Sequence, residues 1–432
     1  MSRRPLIRVP ALVACLCAFS LPSWGCDGCG ADPEPEVEPE TETTAEEEPE
    51  AEPEPENEEA PEGPVIAIDT HVDTPQRMLD DGDDPSGALE GGHLDFPRMR
   101  EGGLTGAFFS VFVNPRKYAG EARWQRALAL TRAIRTFVDE HPDDAALCTT
   151  AGEVRAAASA GKVAVLMGVE GAQAFGTDDP DLVIERLREL HRLGNRYLTI
   201  TWSTDNPLGF ASMDDNAEDD EKGLTELGRR VVREMNRLGM IVDVSHASDR
   251  TFWDIMEVAE RPVLASHSSA RALAQHPRNM TDPMIRKVAE GGGSICINFY
   301  TRYIDGAYAR RRATLEWRER ARFGAIEESE EGSWVDRGTR AFALARELDP
   351  ELEPPTVVTI ADHIAHVVEV GGPEAACLGS DYDGVPELPV GMEDVSDLGV
   401  LREELEKRDI PVRAVFGENV LRVLEANETP AE

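Results

Sequence analysis

Most of this 432-residue chain predicts an α/β fold, a closed (β/α)8 TIM-like barrel carrying an acidic N-terminal tether. Three observations lead there. Past residue 64, eight short β-rich apolar runs alternate with helical patterns. Most of the runs are almost continuously apolar, as parallel strands covered on both faces must be. Polar residues of metal-binding type follow several of the runs directly, where a parallel barrel keeps its chemistry. A doubly wound open sheet is the alternative arrangement of the same units.

In order, the predicted strands are Val65–Ile68, Leu104–Val113, Val163–Val169, Tyr197–Trp202, Met240–Val244, Pro262–Ala265, Ser294–Phe299 and Ala375–Leu378. Helical periodicity predicts helices over Glu121–Glu140, Asp181–Leu193, Gly223–Leu238, Asp249–Ala259 and Asp282–Glu290. Gly194, Gly239 and Gly291 read as helix stops, and Asp249, Thr281 and Ser396 as caps at helix starts. The connection from Thr301 to Pro355 is too long for an ordinary loop. Its Arg- and Glu-rich middle, Ala309–Arg346, predicts a helical insertion beside the barrel mouth.

Two segments precede the barrel domain, which spans 64–432. Residues 1–30 carry Arg3, Arg4 and Arg8 ahead of a Pro10–Leu21 apolar run, too short to span a membrane and suited to an export signal. Cys26, after Gly25, is the expected site of lipid attachment, with Cys15 the alternative and ordinary cleavage the plainer one. Residues 31–63 hold sixteen acidic residues and no Lys or Arg. Such a segment cannot bury apolar surface, so a disordered tether is expected, holding the domain away from a membrane or envelope surface.

The formal net charge is −39. Setting aside the three basic residues of the start, Asp27 and the sixteen acids of the tether leaves −25 on the domain. Charge of that sign disfavours nucleic acid as a partner. Four of the seven cysteines lie in the first 30 residues. Cys148, Cys296 and Cys377 remain, an odd set that reads as buried thiols more than as a disulfide framework.

The residues at the strand ends carry the functional reading. His71 and Asp73 follow the first run two apart, so on an extended chain they share one side, and a borderline metal such as zinc suits that pair. Glu170 directly follows the third run, where one carboxylate can bridge two cations. His246 and His267 follow the fifth and sixth, each preceded by a serine. Of nine histidines, three fall at strand termini, a placement that scattered core histidines would not share. His363 and His366 suggest a helix face, and His93, His141, His191 and His276 read as loop or helix-surface residues. After the eighth run, Asp381 is preferred over Asp383 as a proton-handling carboxylate. Arg278, eleven residues beyond His267, can clamp a substrate carboxylate.

With these residues in place, the chain resembles the membrane dipeptidase (renal dipeptidase) family, M19, of the amidohydrolase superfamily. The resemblance runs from about Val65 to Leu424, through AIDTHVDTPQ, GVEGAQAF, RYLTIT, VDVSHAS, PVLASHSSARALAQHPRNMTD, GGGSICINFY and LGSDYDGVPELPVGMEDVSDL. It implies a binuclear zinc centre, with His71 and Asp73 on one ion, His246 and His267 on the other, and Glu170 between them. It implies Arg278 on the free carboxylate of a dipeptide, Asp381 handling protons, tolerance of a D-residue at the C-terminal position, and often a homodimer. One block departs: where well-known members carry a substrate-binding His, this chain has Trp202, which donates one hydrogen bond and cannot become a cation.

The expected activity is therefore metal-dependent hydrolysis of dipeptides by an exported envelope protein. Trp202 keeps open an enzyme acting on a non-peptide amide, lactam or ester. A metal-binding envelope protein without turnover is the third reading.

Overall fold

The computed structural model describes residues 65–214, 223–329 and 334–428. The readings of residues 1–30 as an export signal and 31–63 as a tether fall outside the described residues.

Among these residues nine strands form, β1 Ile68–Val72, β2 Gly106–Phe112, β3 Ala145–Leu147, β4 Val163–Glu170, β5 Asn195–Thr199, β6 Ile241–Asp243, β7 Leu264–Ser268, β8 Ser294–Ile297 and β9 Ala376–Leu378. All pairings between them are parallel. The ring runs β1–β2–β4–β5–β6–β7–β8–β9 and back to β1, a closed eight-stranded TIM barrel. The short β3 was not among the expected strands. It pairs with Val163–Val165 of β4, on the edge that β5 takes further along, so it extends the rim without entering the ring.

Side-chain alternation divides the core in two. Ile68, Phe108, Leu166, Tyr197, Ile241 and Leu264 point inward and pack with Val420, Leu421 and Leu424 of the helix Asn419–Asn427, which helps close the N-terminal end. Val111, Val165, Met167, Val169, Leu198 and Val242 point outward against the helical shell. Burial on both faces explains why these strands read as unbroken apolar runs.

Helices Glu121–Glu140 and Asp282–Glu290 form with the expected bounds. Two of the three expected caps differ by a residue or two. Ser248 caps Asp249–Val258 by accepting the Thr251 N–H. Thr281 sits at the cap position without a side-chain bond. Asp394, not Ser396, caps the turn Val395–Asp397. Gly239 is left-handed, at φ 73°, and ends its helix as expected. The long connection is helical over Gly306–Arg318, Arg320–Glu327 and Trp334–Leu348.

The cysteine expectation is corrected. Cys296 and Cys377 form a disulfide. They stand directly opposite in the β8–β9 register, both inside the barrel, with 81 residues between them in sequence. Only strand pairing reveals that proximity. Among the described residues Cys148 is the free thiol, buried, and pushed up to about 12 by burial and the nearby Glu153 charge.

Candidate metal centre

Two irregularities in strand register aim the histidines. Ile68 points into the barrel, so strict alternation would turn His71 outward and Val72 inward. The register shifts between Asp69 and Val72, and it is Val72 that packs with the outer core. A second shift, between Ala265 and Ser268, lets both Ser266 and His267 face the interior. Extra residues of this kind re-aim side chains beside active sites. β4 needs none: Glu170 lies in phase with the inward-facing Ala164 and Leu166.

The five predicted ligand residues converge. His246 Nε2 lies 3.0 Å from Glu170 Oε1, and His267 Nε2 lies 3.6 Å from the same oxygen. His71 Nε2 is 3.6 Å from Glu170 Oε2 and 4.0 Å from Asp381 Oδ1. Glu170 thus presents one oxygen to each histidine set. Oxygen and nitrogen atoms of His71, Glu170 and His267 come within 4.8 Å of one another, as do those of His71, Asp73 and Asp381. His246 and Asp381 hold positive φ of 67°, a strained conformation for non-glycine residues that the surrounding contacts must sustain.

The polar inventory fits a cation. His71 Nε2 and Asp73 Oδ1 are buried with no hydrogen-bond partner. A Cβ on Gly384 would lie 2.3 Å from Asp381 Oδ1 and 2.5 Å from Asp73 Oδ2, so only glycine leaves that space beside the carboxylates. Burial alone would lower the His71 pKa, but the charges of Glu170, Asp73 and Asp381 outweigh it and hold it up at about 10. The group of carboxylates is therefore demanding a positive charge. Burial tends to raise Glu170, and His71 and His246 hold it below the usual carboxylate range. Burial drives His246 down to about 3 and His267 well below its ordinary value, keeping both neutral, the form that ligates metal.

Around this cluster stand the other predicted residues. Arg278 is 3 % exposed; one Nη donates to the His267 carbonyl at 3.0 Å, and Nε and the other Nη are buried without partners. Its guanidinium lies 5.5 Å from the ring centre of Tyr303, carried by the start of the insertion. Asp381 accepts from Asn298 Nδ2 at 3.0 Å, and burial, partly offset by His71, raises it to about 6. Asp383 turns away and accepts from Thr74 Oγ1 and the His93 N–H, both at 2.7 Å. Trp202 stands at the mouth, its ring 4.9 Å from Phe112 and 6.4 Å from His246.

His363 lies on the helix Val357–Gly371, as expected, on its buried face, and joins the Ala270 N–H to the Ile304 carbonyl. His93 lies in a loop but is buried there and accepts the Asp383 N–H. Three residues went unnoticed, Tyr197, whose hydroxyl is 2.8 Å from His71 Nδ1, Asp243 and Asn298, and Ser266 was noted only as the serine before His267. Tyr197 fits because Gly168, opposite it on β4, has no side chain to meet its ring. The lone acidic residue inside the apolar run IVDVS was the one signal for Asp243.

The family model of membrane dipeptidases, peptidase family M19, matches residues 62–432. The chain belongs to the membrane dipeptidase family. It is accordingly a metallo-dipeptidase by class. Among solved structures it is similar to a family M19 dipeptidase at 28% identity, covering 84% of this chain and 99% of that one, with a TM-score of 0.66. It is also similar to a metallo peptidase from Rhodobacter sphaeroides, solved with a phosphinate mimic of the dipeptide L-Ala-D-Ala, at 26% identity, 85% and 100% coverage and a TM-score of 0.67. The probable dipeptidase PvdM from Pseudomonas aeruginosa shares the fold at 22% identity, 84% and 95% coverage and a TM-score of 0.69.

Proposed function

We propose that this dipeptidase uses two zinc ions to hydrolyse free dipeptides, including those with a D-residue at the C-terminal position. The observation carrying this reading is the buried guanidinium of Arg278, with unpaired N–H groups, hydrogen-bonded to the backbone of His267. A cation so placed suits a substrate carboxylate close to the reacting bond. The relative that holds an L-Ala-D-Ala mimic supports the stereochemical part.

His71 and Asp73 would hold one ion, His246 and His267 the other, and Glu170 both. When bound, the ions supply Lewis-acid polarisation of the scissile carbonyl and acidification of the attacking water. Arg278 binds the substrate carboxylate and restricts the geometry of attack. Asp381, oriented by Asn298, accepts a proton from the attacking water and delivers it to the leaving amine. Trp202, against Phe112, offers an apolar wall and one indole N–H.

The test is hydrolysis of dipeptides with L- and D-residues second, by protein stripped with chelator and reloaded with zinc. Zinc-restored cleavage of free but not carboxyl-amidated dipeptides, lost in His246→Ala, is expected. Two bound zinc ions per chain without dipeptide cleavage would favour the second reading, a non-peptide amide, lactam or ester, for which the aromatic wall of Trp202 is the argument.

We also propose export to the cell envelope, lipid attachment at Cys26 and a homodimer. Among the described residues, no helix is long and apolar enough to cross a membrane. The mass of the mature N-terminal peptide tests the lipid, and sedimentation tests the dimer.

A further inference from the structure

Beneath the predicted ligands lies a buried polar group that no ligand set requires. Asp243, on β6, is fully buried. Its Oδ1 accepts the backbone N–H of Ser245 at 3.0 Å and of Ser266 at 2.9 Å. Its Oδ2 accepts the hydroxyls of Thr199 at 2.5 Å and Ser266 at 2.6 Å. The same Ser266 Oγ lies 2.8 Å from His267 Nδ1. Ser245 Oγ accepts the His267 backbone N–H at 3.0 Å, so the whole residue is held from below.

A serine hydroxyl has one hydrogen and can give it to one neighbour. The carboxylate is the stronger acceptor and the nearer one, so the hydrogen points to Asp243. Toward His267 the serine oxygen then acts as acceptor, and Nδ1 must carry the imidazole hydrogen. Nε2 is left with its lone pair, directed at Glu170 and at His246 Nε2, 2.9 Å away. His246 is held differently: among the described residues, its Nδ1 meets Ser203 Oγ, at 3.4 Å.

We propose that Asp243 and Ser266 are positioning residues that fix the tautomer of His267 and so prepare Nε2 as a ligand atom before any ion arrives. The inference rests on the metal-centre reading above. It explains why a carboxylate is placed inside the barrel against an uncharged serine, and why the register shift in β7 brings Ser266 inward together with His267.

Asp243→Asn makes the sharpest test. The two backbone N–H groups hold the amide oxygen at the Oδ1 position, so the NH2 replaces Oδ2 and donates to Ser266 Oγ. Of the acceptors then left to the Ser266 hydrogen, His267 Nδ1 at 2.8 Å is nearer than Ser245 Oγ at 3.4 Å, and donation to it moves the imidazole hydrogen to Nε2, the wrong nitrogen. Ser266→Ala removes the relay but leaves Nδ1 free to tautomerise. Zinc affinity of the full chain, measured by chelator competition, is expected to fall roughly 10-fold in Ser266→Ala and nearer 100-fold in Asp243→Asn, for one of the two ions. Imidazole 15N spectra of the metal-free wild type should show His267 protonated at Nδ1, and Asp243→Asn should reverse this. Wild-type zinc affinity in both variants, or Nε2–H in the wild type, would overturn the relay alone. A wild type that binds no zinc would overturn the metal reading and the relay with it. The wild-type spectrum decides even if a variant does not fold.

Discussion

On the proposed reading Arg278 and Asp381 make separable contributions, one holding substrate and the other moving a proton. Arg278→Ala removes a charge-assisted hydrogen-bond donor worth about 1.5–3 kcal/mol. KM for free dipeptides should rise roughly 10- to 100-fold. Asp381→Asn retains the shape and the Asn298 contact but cannot take up a proton. It should lower kcat by about 10²- to 10⁴-fold with KM nearly unchanged, as steady-state kinetics would show. The residue types of the site were legible because chemistry restricts them: His71, Asp73, Glu170, His246 and His267 are all of metal-binding type and all fall at strand ends. The orientation of Asp383 toward Thr74 and His93 was not, since those partners lie 309 and 290 residues away.

At the level of strands and helices, long-range pairing matters most. The disulfide joins β8 and β9, the strands that lead to Asn298 and Asp381. Cross-linking residues 81 apart restricts the unfolded chain and is worth about 2–4 kcal/mol. The Cys296→Ala/Cys377→Ala double variant should unfold at correspondingly lower denaturant, and a thiol reductant should lower the wild-type midpoint but not that of the variant. The insertion is anchored by buried charge: Arg312 on Gly306–Arg318 meets Glu387 at 3.3 Å and Glu316 at 3.1 Å. Its helical character was legible from composition. Its attachment through Glu387 and the placement of Tyr303 against Arg278 were not, because neither leaves a local pattern.

For the molecule as a whole, buried and half-buried neutral histidines set the acid limit. Burial, reinforced by neighbouring arginines, lowers His191 and His276 to about 4, and burial lowers His363 to about 4 as well. Unfolding restores each toward about 6.5. A lowered folded-state pKa means that the unfolded chain binds more protons, so this stability is present above pH 6.5 and lost as pH falls toward 4. His246, His267 and His93, lowered mainly by burial, add to these three. Asp69 and Asp381, each raised to about 6 by burial, act in the opposite sense, as do the raised Asp73 and His71, four groups against six. Urea midpoints of chelated protein should therefore fall between pH 6.5 and 4. A flat or rising profile would contradict the account.

The amino-acid sequence by itself determined that eight buried parallel strands form, that helices separate them, and that side chains of metal-binding type sit at their ends. Those properties depend on residues within a few positions of each other, through periodicity, apolar content and turn chemistry. Tertiary structure alone decided the register shifts that turn His71 and His267 inward, the Cys296–Cys377 pair, and the Asp243–Ser266–His267 relay. Each depends on which residue of one strand faces which residue of another. A one-residue change in that pairing leaves the hydrophobic pattern of a doubly buried strand almost unaltered, yet reverses every side chain that performs the chemistry.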